Sequence, residues 1–271
     1  MTPTPPSAVF VRQDDDTWLP TELARGPWDP RAQHGGAPAA LFAHLAEGAV
    51  AEPGWQLARL TMELVRPVPL ASLRSHCTIQ SSRSTTRIGI DLLAGDTLVA
   101  RAHALMLRTQ AIELPAELPG WSPEALLPAP GACAQALRIP GLPKGVSFHG
   151  GAIESRVAQG DPSQPGPAAA WFRLVVPVVQ GQPLSPAMRA VAAADFGNGL
   201  SWVLPAQGYV FTNADLSVHL MRQPAGEWIG VAAQTQADAS SAGTTLSRLY
   251  DEQGPLGVAI QTLVIRERQP L

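Results

Sequence analysis

Most of residues 59–108 is written a second time near the end of the chain. RLTMELVRP at 59–67 aligns with DLSVHLMRQP at 215–224 through Leu60/Leu216, Thr61/Ser217, Leu64/Leu220 and Arg66/Arg222, at an offset of 156 (222 minus 66). The segment also closes alike, VARAHALMLR at 99–108 against GVAIQTLVIR at 257–266, at an offset of 158 (266 minus 108). A long segment of strand character repeated in the same order, with an indel of one or two residues, points to a duplicated unit. Chemistry is then to be sought where the copies differ.

The patterning along the chain supports two such units. Short apolar runs at residues 7–11 and 17–23 read as strands, the second an edge strand because it holds Pro20. Residues 37–49 read as a helix, nearly all Ala, Leu and Phe, with Pro38 in the first turn where its missing N–H is harmless. Apolar on almost every face, that helix must be surrounded by other structure. Strands follow at 57–65, 73–82, 86–93 and 98–107, the first alternating strictly. Seven prolines between 109 and 144 exclude a regular sheet or a long helix there, leaving a linker across the surface of the first unit. The second unit opens with strands at 146–157 and 169–178. A helix over 184–204, started by Ser185 and Pro186, comes next. Strands at 211–222, 227–237, 244–250 and 256–266 complete it. The layout is α+β, with units at 1–110 and 146–271 joined by 111–145.

Composition narrows the function classes. With 45% hydrophobic and 15% charged residues the chain has ample material for a core, and its formal charge of −3 gives no footprint for nucleic acid or an anionic membrane. No stretch is apolar for long enough to span a bilayer. Cys77 and Cys133 show no metal-type spacing and need not pair, which together with an N-terminus lacking a secretory pattern suggests a reducing cytoplasm. The acidic triplet at 14–16 reads as a solvated turn. GNGLSW at 197–202 lacks the third glycine and βαβ setting of a dinucleotide fingerprint, and no G-x-S-x-G elbow or His/Cys ligand cluster occurs. No metal and no cofactor is implied.

An apolar helix wrapped by an antiparallel sheet, twice in one chain, resembles the double hotdog fold. HGGAPAALFAHLAE (34–47), ADFGNGL (194–200), TNADLSVHLMR (212–222) and DEQGPLGVAIQTLVIR (251–266) are similar, in order, to the acyl-CoA thioesterase II family and its relatives. The resemblance implies two tandem repeats, each with a long central helix, acting on acyl-CoA or carrier thioesters and assembling as a homodimer or homotetramer. It also implies an Asp on the second helix, a Thr on the next strand and a Gln on the last strand, together holding the attacking water. The Asp falls on Asp195 and the Gln on Gln261. Anchored on Asp215 and Ser217, the Thr position falls on Asn213, a departure from the family. Thr212 next door would face the other side of the strand, and an Asn amide both donates and accepts.

The residue types suit the chemistry. A carboxylate among Ala192, Ala193, Ala194 and Phe196 is expected to be partly desolvated and made more basic. Gln261 and Asn213 would orient water while staying neutral. Backbone N–H groups at Gly35 and Gly36, or around Phe196 and Gly197, would serve an oxyanion. The copies diverge here: Gln261 replaces His103 at offset 158, and Asn213 replaces Leu57 at offset 156. His34, Gly35, Gly36 and Gly197 are candidate substrate-binding residues, His34 also a candidate helix cap. His103, His219, Asp215 and Ser217 read as structural. Two rivals are a hotdog hydratase or dehydratase, which would set His34 against a carboxylate, and a non-catalytic acyl-binding protein, in which the polar trio would not converge.

Overall fold

The computed structural model describes residues 6–14, 16–115, 126–138, 145–205 and 207–268. The first half runs β1 (Phe10–Arg12), β2 (Thr17–Pro20), α1 (Gly36–Gly48), β3 (Trp55–Glu63), β4 (Leu73–Ser81), β5 (Thr85–Ala94) and β6 (Thr97–Arg108). The second runs β7 (Ile153–Gln159), β8 (Ala168–Leu174), α2 (Pro186–Ala194), α3 (Gly197–Leu200), β9 (Tyr209–Asn213), β10 (Asp215–Leu220), β11 (Trp228–Ala237), β12 (Ala242–Asp251) and β13 (Gly254–Glu267). One 13-stranded sheet takes them in the order β1-β2-β4-β5-β6-β3-β10-β13-β12-β11-β8-β7, with β9 also on β13, and every pairing between named strands is antiparallel.

That order is a palindrome: each strand of the first half has its counterpart at the mirrored place in the second. The halves meet at β3 and β10, where Thr61 lies opposite Ser217 and Ser217 Oγ donates to Thr61 Oγ1 at 3.1 Å. These two are repeat-equivalent, and two equivalent antiparallel strands share only one self-partnered position. The axis relating the halves therefore passes through this pair.

Register corrects the alignment of the last strands. Thr61 faces His103 on β6 and Ser217 faces Ile260 on β13, so the offset there is 157 (260 minus 103) rather than 158. Gln261 thus corresponds to Ala104, not to His103. On a strand one residue decides the face: His103 is exposed and Gln261 is buried. A shared irregularity confirms the frame. Pairing of β3 with β6 slips by one at Ala58, and its counterpart Ala214 interrupts the strand between β9 and β10, both of which pair with β13.

The two helices pack on each other and line the inner side of the sheet. α1, 13 residues long, is buried along most of its length, as its composition demands. α2 has only 9 residues, and the single helix expected over 184–204 is not formed. It starts as expected, Ser185 Oγ accepting from Met188 N–H at 3.1 Å. It stops at Ala194, where the Gln261 side chain takes Asn198 N–H at 3.1 Å in place of a carbonyl one turn back, and Gly197–Leu200 follow as the separate short helix α3.

Three further expectations change. β2 is not an edge strand: β1 lies outside it, and Pro20 is tolerated because pairing with β4 ends at Trp18. β7 begins at Ile153, since Phe148–Ala152 form a wide helical turn in which Ser147 Oγ accepts from Gly150 N–H at 3.1 Å. Residues 126–138 of the proline-rich linker cover the outer face of the second half, not the first. There Trp171 Nε1 donates to the Pro128 carbonyl at 2.8 Å beside Cys133, Trp228 and Tyr250. The rest of the linker, 116–125 and 139–144, lies outside the described residues. The free side of β1 is bonded to 177–180, Phe10 N–H donating to the Val178 carbonyl at 2.8 Å, so the second half guards the exposed strand of the first. Among the described residues no helix is long and apolar enough to cross a membrane.

Candidate active site

Asp195 caps the C-terminal end of α2, and its side chain is 3% exposed. Asn213 Nδ2 donates to its Oδ1 at 2.8 Å. Gln261 Nε2 lies 3.4 Å from the same oxygen and 3.2 Å from the Asp195 carbonyl. The three sequence-predicted polar residues are thus brought together. Each is aimed by an identifiable local feature. The break between α2 and α3 turns the carboxylate out of the helix. The bulge at Ala214 re-aims Asn213 at the end of β9, and there the Asp215 carboxylate accepts from Thr262 N–H at 2.6 Å. Gln261 points inward by strand alternation, its Oε1 held by Asn198 N–H.

Asn198 went unread in the sequence. Its Nδ2 donates to Asn213 Oδ1 at 3.1 Å, which fixes the amide so that the Asn213 NH₂ must face Asp195. The signal was present, in the GNG that ends the helix, but only the three-dimensional break shows where the side chain goes. Asn198 Oδ1 and Ser247 Oγ are buried without a hydrogen-bond partner, so polar capacity remains behind the trio.

The other wall comes from the first half. His34 Nδ1 lies 2.9 Å from Asp195 Oδ2 and 3.1 Å from Gly36 N, two partners for one ring position: protonated it donates to the carboxylate, unprotonated it accepts from Gly36 N–H and caps α1. Its ring packs against Phe148, centroids 5.1 Å apart, and Phe196, at 4.6 Å. The contact places Asp195 at the positive end of α1, where a carboxylate is favoured. Far from standing among apolar groups alone, the carboxylate has polar partners on both oxygens.

The glycines are explained by close approach. A Cβ on Gly35 would stand 2.8 Å from both Asp195 oxygens. One on Gly36 would stand 2.7 Å from Phe148 and 2.8 Å from the Ala192 carbonyl. One on Gly197 would meet Ser247 Oγ, with Gln261 Oε1 at 2.9 Å. Of the residues expected to bind substrate, His34 and Gly35 line the cavity in front of Asp195, while Gly36 and Gly197 do not and instead let elements close on each other. Gly36 N–H and Phe196 N–H are engaged by His34 Nδ1 and the Ala193 carbonyl.

That cavity has a volume of about 780 Å³, within the range of small-molecule sites. Both halves line it, Trp28, Val65 and Val68 from the first and Phe196, Trp202 and Phe211 from the second, with Asp195 and Asn213 in the wall. Gln261 stands behind them. The divergence of the copies is concentrated here. By register, buried Ile88, Ile90 and Ala104 of the first half correspond to buried Thr245, Ser247 and Gln261 of the second.

Comparisons with known proteins agree on one family. Residues 24–107 match the acyl-CoA thioesterase N-terminal domain and residues 123–265 the acyl-CoA thioesterase C-terminal domain, the latter alone more than half of the chain. No curated protein sequence matches. Among solved structures, a candidate thioesterase from Novosphingobium aromaticivorans is 23% identical, covering 94% of this chain and 98% of its own, with a TM-score of 0.71. A hotdog-fold protein from Alicyclobacillus acidocaldarius is 15% identical, covering 98% of each chain, with a TM-score of 0.68. Acyl-CoA thioesterase II TesB2 from Mycobacterium marinum is 14% identical, covering 96% of each chain, with a TM-score of 0.58. At such identities these neighbours establish the hotdog fold, and the two domain matches, in tandem and in order, establish that the chain belongs to the acyl-CoA thioesterase family.

Proposed function

We propose that this acyl-CoA thioesterase is a double hotdog, units 1–110 and 146–271 joined by 111–145, that hydrolyses its substrate at a single centre with water as the direct nucleophile. The observation that carries the reading is the convergence of Asn213 and Gln261 on the Asp195 carboxylate at the wall of a large, mostly apolar cavity. The palindromic strand order supports the two-unit description. Asp195 accepts the proton of the attacking water, and Asn213 and Gln261 hold the carboxylate and the water in line. Gly35 N–H, at the open end of α1, is the donor assigned to the oxyanion.

The leaving group is assigned to the mouth of the cavity. Arg66 and Arg266 are exposed on its lining and have no ion-pair partner among the described residues. The repeat counterpart of Arg66, Arg222, is instead clamped by both oxygens of buried Asp251. Two unpaired guanidiniums suit the phosphates of coenzyme A. Replacing either by Ala is expected to raise KM for acyl-CoA about tenfold, in a salt-dependent way, and to leave KM for a phosphate-free acyl-pantetheine unchanged.

The contact of His34 with Asp195 favours a second reading, hydration of an enoyl thioester. Against it, the two groups face each other rather than opposite carbons of a double bond, and Asn213 and Gln261 hold the carboxylate further. Thiol release from a panel of short, long, aryl and 2-enoyl acyl-CoAs decides between them. Hydrolysis predicts thiol release that falls by about two orders of magnitude or more in Asp195→Ala. Loss of the enoyl chromophore without thiol release would establish the hydratase, and saturable binding without either would establish an acyl-binding protein.

A further inference from the structure

A carboxylate that works alone has no need of an imidazole on its second oxygen, yet His34 Nδ1 stands 2.9 Å from Asp195 Oδ2. Two nitrogen and oxygen acceptors do not rest at that separation without a proton between them, and with that proton on Nδ1 the ring donates to Asp195 and no longer accepts from Gly36 N–H, 3.1 Å away. The contact is also enclosed, the two side chains being 11% and 3% exposed.

The surroundings are built to keep it. The His34 ring packs against both Phe148 and Phe196, which also stack on each other with centroids 6.2 Å apart. Its backbone is fixed at both ends, His34 N–H donating to the Ala24 carbonyl and the His34 carbonyl accepting from Ala37 N–H, each at 2.9 Å. Gly35 carries no Cβ, which leaves the carboxylate room to reach the ring. The partners lie on different halves of the chain, so the contact exists only once the halves are assembled. Asp195, at the end of α2, is the carboxylate facing His34; His149, Asp29 in its ion pair with Arg31, Arg66 and Arg266 share the cavity.

We propose that His34 and Asp195 work as one proton-carrying pair, a deepening that rests on reading Asp195 as the centre of hydrolysis. The water oxygen bonds to the thioester carbon while its proton passes to the pair. Collapse of the tetrahedral adduct then breaks the carbon–sulfur bond, and the proton goes to sulfur. A carboxylic acid and a thiol leave, and the pair returns to its starting state. The carboxylate orients the imidazole as the third group of a nucleophile–base arrangement does. The imidazole supplies a ring nitrogen that can take a proton and give it back.

Substitution separates proton carriage from positioning. His34→Asn keeps an amide N–H near the place of Nδ1 but cannot carry a proton, and His34→Ala removes the ring. Both are expected to lower kcat about 10²–10⁴-fold with KM nearly constant, and to change the dependence of kcat/KM on pH. Free imidazole is expected to restore part of the activity of His34→Ala and none of that of His34→Asn. Thermal unfolding of each variant checks that it is folded, and His34→Gln replaces any that is not. His34→Asn within about threefold of the wild type, with its pH profile intact, would show that the ring only positions Asp195 and would overturn the proposal. Asp195→Ala inactive beside active His34 variants would overturn it too while leaving hydrolysis standing. A wild type that releases no thiol would overturn both.

Discussion

Gly35 and Gly197 show how much of this centre depends on atoms that are absent. Each sits where a methyl group would touch a member of the polar trio, Gly35 against the Asp195 oxygens and Gly197 against Gln261 Oε1. Gly35→Ala is expected to fold, because the displaced carboxylate borders a cavity and can move into it. Its thiol release is expected to fall about tenfold or more, with little change in melting temperature. The opposite pattern, a large loss of stability with turnover per folded molecule intact, would show that Gly35 serves packing alone. Sequence pattern marked both glycines as candidate substrate-binding residues, and of the two Gly35 lines the cavity. Close approach of a side chain 160 residues away (195 minus 35) leaves no trace in local spacing.

Between the helices the pseudo-symmetry leaves a pair of facing ends. Asp195, closing α2, meets the start of α1, and Glu47, near the close of α1, hydrogen-bonds Ser185 at the start of α2. Glu47 does not line the cavity, and its Oε2 is buried without a hydrogen-bond partner among the described residues. Burial, only partly offset by Ser185, raises its pKa above the ordinary 4.5. The folded state therefore holds this proton more tightly than the unfolded chain. Its contribution is fully present below the unfolded value and is lost as pH rises through the folded one. Asp251 acts in the opposite sense. Burial pushes its carboxyl up, but Arg222 and the N–H groups of Ala225 and Gln253 outweigh that and hold it low, so its contribution is lost in acid. Melting curves of wild type and Glu47→Gln against pH isolate the first effect: the wild type is expected to lose stability relative to the variant as pH rises above about 4.5. Parallel curves would show Glu47 to be solvated. None of this was legible in the alanine-rich helices, whose composition announces burial but not which ends meet. The helix break at Asp195 was likewise hidden, since the run up to Ala194 reads as unbroken helix and its end is decided by Gln261 from a distant strand.

At the scale of the whole chain, duplication was the most legible property. Its strand anchors matched Thr61 with Ser217, and pairing between strands then showed that this pair lies at the seam. The face of the last strand was not legible, because an offset of 157 or 158 differs only in parity, and parity is settled by hydrogen bonding between strands. The seam also predicts behaviour. β3 and β10 are interior strands only because they hold each other, and β1 is sealed by residues 177–180 of the other half. Residues 1–110 produced alone are therefore expected to pair with a second copy along β3 or to aggregate, as measured by light scattering, and to release no thiol. A stable monomer would show that each half completes its own sheet.

The self-partnered Thr61 and Ser217 have one more consequence. In an assembly of two identical chains, a mutation on one side of such an axis appears on the other as well, so a polar residue placed in one wall must be endured in both. Joining the two units in one gene removes that coupling. Ile88, Ile90 and Ala104 could stay apolar while Thr245, Ser247 and Gln261 became polar, an asymmetry that fits the single centre proposed above.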